Sequence, residues 1–241
     1  MISITGLAKR YGANEVLSGL DLEIARGRVT AIVGPNGTGK TTLIKAILGL
    51  VHPDAGTIAV DGVRVGDDCA YRARIGYMPQ IPRFPQNLTG AELLAMLHDM
   101  RGGRAMPGAE AADEQLVERF QLATQLGKPV GTLSGGTQQK LNAVMAFLFS
   151  PGLLILDEPT AGLDPASSGV FKDKILADRD AGRTFVLSSH FMNELEELAD
   201  DVVFLHEGKV RYHGALAELM RNTRQANLGR AISYLMMKGA A

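Results

Sequence analysis

Apolar positions along the chain fall into two rhythms. Residues Ile2 to Tyr11, Leu20–Ile24 and Val29–Val33 are rich in β-formers, with Arg26-Gly27 as a turn between the last two. Gly39 to Leu50 carries Leu43, Ile44, Ile47 and Leu48 at helical spacing. The His52–Gly56 turn precedes short strands at Ile58–Val60, Val63–Val65 and Ile75–Met78. Three prolines from Pro79 to Pro85 interrupt regular structure. Thr89 and Glu92 then have the spacing of a capping box, in which each satisfies a free amide of the other. A second helix is expected over Asp113–Leu126, after a loose loop at Gly102–Ala112, and a third from Ser134 to Phe149. Beyond strand Leu153–Leu156, Asp164-Pro165 reads as an N-cap followed by proline at the first helical position. Strand Thr184–Leu187, helix Phe191–Ala199, strand Val202–His206, a Glu207-Gly208 turn, strand Lys209–Tyr212 and terminal helices complete the pattern. Strand–helix alternation after Val29 predicts an α/β fold, a mostly parallel sheet covered on both faces. Residues from about 80 to 133, all helix and loop, read as a lobe inserted into it. No internal repeat is visible.

The longest uncharged stretch, Leu141 to Leu156, is interrupted by Pro151-Gly152 and falls short of the roughly 18 residues of a membrane helix. The N-terminus has no charged start followed by an apolar run, so no signal peptide is expected. A membrane role would need a partner. The formal net charge is -1, which argues against nucleic acid as a partner. The one cysteine, Cys69, cannot form an internal disulfide and suits a reducing compartment. No His or Cys cluster has metal-ligand spacing.

Chemistry is concentrated at two places. Gly34-Pro35-Asn36-Gly37-Thr38-Gly39-Lys40-Thr41, followed by Thr42, fits the phosphate-binding loop and sits between an apolar strand and a helix. Its glycines let the backbone curl so that successive N–H groups point at phosphate oxygens, and the helix N-terminus adds partial positive charge. Lys40 is expected to bridge the β- and γ-phosphates of ATP and Thr41 to ligate Mg²⁺. The second place is Asp157-Glu158, delivered by Leu153–Leu156 to the C-terminal edge of a parallel sheet. Asp157 would hold Mg²⁺ and Glu158 would act as base toward the attacking water. Alone, this pair reads more readily as two solvated charges at a strand end; the phosphate loop upstream reverses that preference.

Leu133-Ser134-Gly135-Gly136, shortly before the acidic strand, resembles the signature of ABC ATPases. Alone, Ser-Gly-Gly reads equally as a flexible turn capping a helix. Together with the other elements in family order, the resemblance extends from about Ile2 to Met220. It implies a P-loop NTPase (RecA-like) fold with an antiparallel N-terminal β part and an inserted helical subdomain. The expected ATPase domain is 1–222 and the C-terminal helical tail 223–241. The resemblance also assigns roles: Tyr11 stacks on adenine, Gln80 reaches Mg²⁺ and the water, and Asp164 of Ala161–Asp164 belongs to the D-loop. His190 is the switch histidine near the γ-phosphate. Ser134, Gly135 and Gly136 cap the γ-phosphate held by a second subunit. It therefore implies a dimer of ATPase subunits, a homodimer in the simplest form. A transmembrane permease would be a separate chain, with this one peripheral on the cytoplasmic face of the membrane.

Thr137 stands where many members have Gln, which points away from the sugar and amino-acid importers. The Leu7–Gly12 opening, the phosphate-loop wording and Leu88-Thr89 resemble the export-type (ABC-2-like) branch. Gly76–Gln80, Arg83-Phe84-Pro85 and the LSGGTQQK run are similar to ATPases of the copper-processing system that matures nitrous oxide reductase. The alternative is a soluble ABC ATPase of translation or DNA repair. Such chains usually hold two ATPase sets or long coiled coils, and this one holds one set with no heptad run. A P-loop GTPase or kinase would leave the signature unexplained, and no guanine-reading Asn-Lys-x-Asp is present.

Overall fold

The structure, a computed structural model, describes residues 1–66, 69–100 and 115–238. Two sheets carry it. In the first, β1 (Ile2–Tyr11) pairs on one side with β2 (Asn14–Ile24) and on the other with β4 (Ala55–Val60), which holds β5 (Val63–Arg64). All three pairings are antiparallel. The second contains β3 (Val29–Val33), β6 (Ile75–Met78), β7 (Leu153–Asp157), β8 (Thr184–Ser188), β9 (Asp201–His206) and β10 (Lys209–Ala215), in the order β10-β9-β3-β8-β7-β6. Its strands run parallel except β10, which returns from β9 through Glu207 and Gly208. Both turn residues have positive φ, near 50° and 70°, which suits a tight hairpin.

The parallel strands are apolar throughout because both of their faces are buried. Side chains alternate across a strand. Leu154 and Leu156 join Phe147, Phe171 and Phe185 under the helices on one face. Leu153 and Ile155 pack on the other face with Leu43, Ile44, Leu7 and Ile58, where the antiparallel sheet closes over α1 (Lys40–Ile47).

Between β6 and β7 lie α2 (Gly90–Met100), α3 (Gln115–Arg119) and α4 (Gly135–Phe147). The capping box forms as expected: Glu92 N–H donates to Thr89 Oγ1 at 3.1 Å and Thr89 N–H to Glu92 Oε2 at 2.8 Å. Leu93, Val130 and Leu141 form a small core of their own, which ties this helical region to α4. After β7 come α5 (Pro165–Asp180) and α6 (Met192–Leu198), and after β10 come α7 (Leu216–Thr223) and α8 (Leu228–Lys238). Leu228, Ala231 and Ile232 of α8 are buried in the main helix-side core.

Three expectations need correction. Strand β2 begins at Asn14, not Leu20. The helix expected over Asp113–Leu126 is, among the described residues, only Gln115–Arg119: Gln121 takes a left-handed backbone and Leu122 closes a turn onto Val117. The third helix ends at Phe147, and Ser150, with φ 47°, turns the chain toward β7. The expected Gly102–Ala112 loop lies outside the described residues.

Candidate nucleotide site

The second sheet's strand order places three chain ends side by side. β3, β8 and β7 are consecutive neighbours and parallel, so the segments that leave their C-terminal ends meet at one edge. Those segments are the loop from Gly34, the run Ser188–His190, and Asp157-Glu158.

The loop is shaped by crowding. A Cβ on Gly34 would stand 2.2 Å from the Leu205 carbonyl oxygen. Gly39, at φ 101°, would place one 2.7 Å from Leu17 and 2.8 Å from the Val16 carbonyl. Only glycine accepts both that approach and that backbone. Thr38 is buried and its hydroxyl donates to Pro35 O at 2.9 Å, closing the loop on itself. The Lys40 ammonium donates to Gly34 O at 2.6 Å and Pro35 O at 2.9 Å. Burial pushes its pKa down, against the opposite pull of Glu158 and Asp157.

Asp157 and Glu158 are both almost fully buried. Asp157 accepts from the Ser188 hydroxyl. Glu158 has φ 51°, so the chain turns sharply as it leaves β7, and its N–H is held by Ser188 O at 2.9 Å. Its carboxylate accepts from the His190 N–H at 3.1 Å, and His190 Nε2 lies 3.2 Å from the other oxygen. Burial raises the Glu158 pKa; the His190 N–H and ring oppose that rise.

An open cleft of about 350 Å³ joins these parts. It is lined by Tyr11, Asn36, Gly37, Gly39, Lys40, Thr41, Thr42, Gln80, Asp157, Glu158 and His190, as well as Asn14 and Val16. The Tyr11 ring is half exposed at its mouth. Asn14 and Val16 were not anticipated; they enter through the unrecognised first half of β2. Ser188, the Asp157 partner, was also missed, although its place at a strand end was the available signal.

Ser134, Gly135, Gly136 and Asp164 do not line this cleft. They form a separate assembly. Ser134 caps α4 by accepting from Thr137 N–H at 3.2 Å. Asp164 caps α5, accepting from Ser167 N–H at 2.9 Å and from its hydroxyl at 2.7 Å. Those bonds, with Lys140 at 3.1 Å, hold the Asp164 carboxyl well below the usual carboxylate range. The Lys140 pair also fastens α4 to the start of α5. Gly136 faces the Gly162 carbonyl so closely that a Cβ would stand at 3.0 Å. Ser134, Gly135 and Asp164 are exposed.

The donor set suits Mg²⁺, a hard cation that takes oxygen ligands: the Thr41 hydroxyl, the Gln80 amide oxygen and the Asp157 carboxylate share the cleft. Among the described residues, no cluster of three His, Cys, Asp or Glu offers a metal site of another type.

Residues 17–161 match the ABC transporter family. The chain is 36% identical to the daunorubicin resistance ATP-binding protein DrrA3 of Streptomyces coeruleorubidus, over 99% of this chain and 78% of that one. It is 35% identical to the Nod factor export ATP-binding protein I of Burkholderia orbicola, over 89% of this chain and 70% of that one. A solved structure of the ATP-binding subunit of an ABC transporter superposes with a TM-score of 0.89, at 31% identity, covering 98% of this chain and 99% of that one. The chain belongs to the ABC transporter family, as its ATP-hydrolysing subunit.

Proposed function

We propose that this chain is the motor of an export-type transporter, working as two copies that share two ATP molecules and drive a separate permease. The observation that carries this reading is the separation of the two halves of the machinery. The phosphate loop, Asp157, Glu158 and His190 converge on one cleft, while Ser134 and Gly135 stand exposed elsewhere with Gly136 half-buried beside them. The start of α4 is itself an anion site, because the first amides of a helix have no partner within it. Two copies facing each other in opposite sense would place each signature over the other's cleft, so that ATP becomes part of the interface.

Within one cleft, the loop amides and Lys40 bind the phosphates and Tyr11 stacks on the base. Thr41, Gln80 and Asp157 would hold Mg²⁺, which supplies positive charge beside the phosphates. Glu158 accepts a proton as a water oxygen bonds to the γ-phosphorus and the bond to the bridging oxygen breaks, leaving its electron pair on ADP. His190 fixes the Glu158 carboxylate. Gly136 lies against the Gly162 carbonyl and Lys140 of α4 pairs with Asp164, so the signature and the loop before α5 would meet the second copy together, and loss of the γ-phosphate would weaken that whole interface.

The named relatives favour export over copper processing, and no helix among the described residues is long and apolar enough to cross a membrane. In this reading the chain is held at the cytoplasmic face of the membrane by a separate permease. Glu158→Gln protein should form dimers in ATP by light scattering and be recovered with a membrane protein from detergent extracts. Recovery with ribosomes or DNA, and no membrane protein, would contradict the reading.

A further inference from the structure

Two buried amides on α4 are not used by the site as described. Gln139 and Asn142 are each 3% exposed and lie three positions apart, on one face of the helix. Asn142 Nδ2 donates to the Pro79 carbonyl at 2.9 Å and is 3.3 Å from Gln139 Oε1. Pro79 is the residue before Gln80, which lines the nucleotide cleft. Gln139 Nε2 has no partner. Among the described residues only Thr30 Oγ1 shares that condition. A buried amide left without an acceptor is costly, and such an atom in a native protein calls for an explanation.

The placement supplies one. Helix α4 begins at the signature and passes beside β6, which leads to Gln80. A Cβ on Gly76 of β6 would stand 2.1 Å from the Ala146 carbonyl, so strand and helix are in backbone contact there. A ligand that moves Gln80 would move the Pro79 carbonyl beside it, and Gln139 Nε2, on the same helix face as Asn142, is a donor without a partner that could take that carbonyl over.

We propose that Gln139 and Asn142 are positioning residues: a pair of amides that passes the Pro79 carbonyl from one to the other, so that nucleotide in the cleft sets the angle of α4 and of the signature lent to the second copy. The inference rests on the two-copy reading above. In the nucleotide-bound dimer Gln139 gains its acceptor, and in the free chain it lacks one. Each state therefore depends on Gln139 with opposite sign.

The test uses the Glu158→Gln chain as parent, with stability read by thermal melting, ATP-driven dimers by light scattering and single-copy binding by a fluorescent ATP analogue. Gln139→Met keeps the volume but removes the orphan donor. It should raise the melting temperature of the nucleotide-free chain by about 2–4 °C. It should also weaken ATP-driven dimer formation about fivefold while single-copy nucleotide affinity stays within about twofold. Asn142→Asp keeps the shape but removes the donor that holds the Pro79 carbonyl in the free chain, and should lower the melting temperature of the nucleotide-free chain while ATP-driven dimer formation is retained or strengthened. A merely structural role would move stability and dimer formation in the same direction. If Gln139→Met leaves dimer formation at the parent level, or lowers both quantities together, the inference is overturned. If the parent itself forms no ATP-driven dimer, the two-copy reading fails, and this inference with it.

Discussion

Glu158 and His190 are joined twice: the His190 N–H donates to one carboxylate oxygen at 3.1 Å while its Nε2 stands 3.2 Å from the other. This places the end of β8 in control of the base at the end of β7. The carboxylate has a fixed direction although it belongs to a residue with a left-handed backbone.

Replacing Glu158 by Gln keeps the shape and removes the base. Turnover should fall about 10²- to 10⁴-fold, with ATP affinity retained, by phosphate release and equilibrium binding. Turnover equal to the unmodified chain would show that another group takes the proton.

The pH dependence has a definite sign. Burial raises the Glu158 pKa, so the basic form is present only above an elevated value, and turnover should keep rising with pH beyond the usual carboxylate range. The fold favours the protonated form. That contribution to stability is present below the unfolded pKa and lost as pH rises through the folded one. Glu158→Gln should therefore raise the melting temperature more at pH 8 than at pH 4, by thermal melting at the two pH values.

Lys40 is held by Gly34 and Pro35 carbonyls inside the loop it serves. Lys40→Ala should weaken ATP binding about tenfold to a hundredfold, the magnitude of a lost charge-assisted hydrogen bond to phosphate, by titration with a fluorescent analogue. Unchanged affinity would contradict the cradle.

Gly39→Ala tests the loop's shape without touching charge. The new Cβ meets Leu17 and Val16 at a residue whose φ is 101°. Stability should drop by about 1–3 kcal/mol in urea melts, and nucleotide binding should go with it.

Much of this was legible in the sequence because the chemistry and the fold share residues. The loop from Gly34 requires glycines at fixed positions, and β7 must be apolar up to the carboxylate it presents, so each motif announced its own strand or helix. Most of what stayed hidden depends on contacts remote in sequence. The stretch from Asn14 to Gly19 shows no clear alternation because β1 and β2 pair with several register shifts, which cost it two cleft residues, Asn14 and Val16. The helix expected to Leu126 is cut short by local turns at Gln121 and Leu122 that its apolar spacing does not reveal. Gln139 and Asn142 look like ordinary polar positions of a helix; their burial, with Pro79 against Asn142, is tertiary.

The central claim is that each ATP is handled by two copies. Gly135→Asp puts a carboxylate where the second copy's phosphate should sit, and the position is open, with nothing within 4 Å of a new Cβ. Lys40→Ala disables the cleft and leaves the signature intact. In a mixture of the two variants, a heterodimer contains one cleft and one signature that are both undamaged. The mixture should hydrolyse ATP at a rate that neither variant reaches alone. A mixture no more active than the two variants measured separately would show that each chain handles ATP by itself.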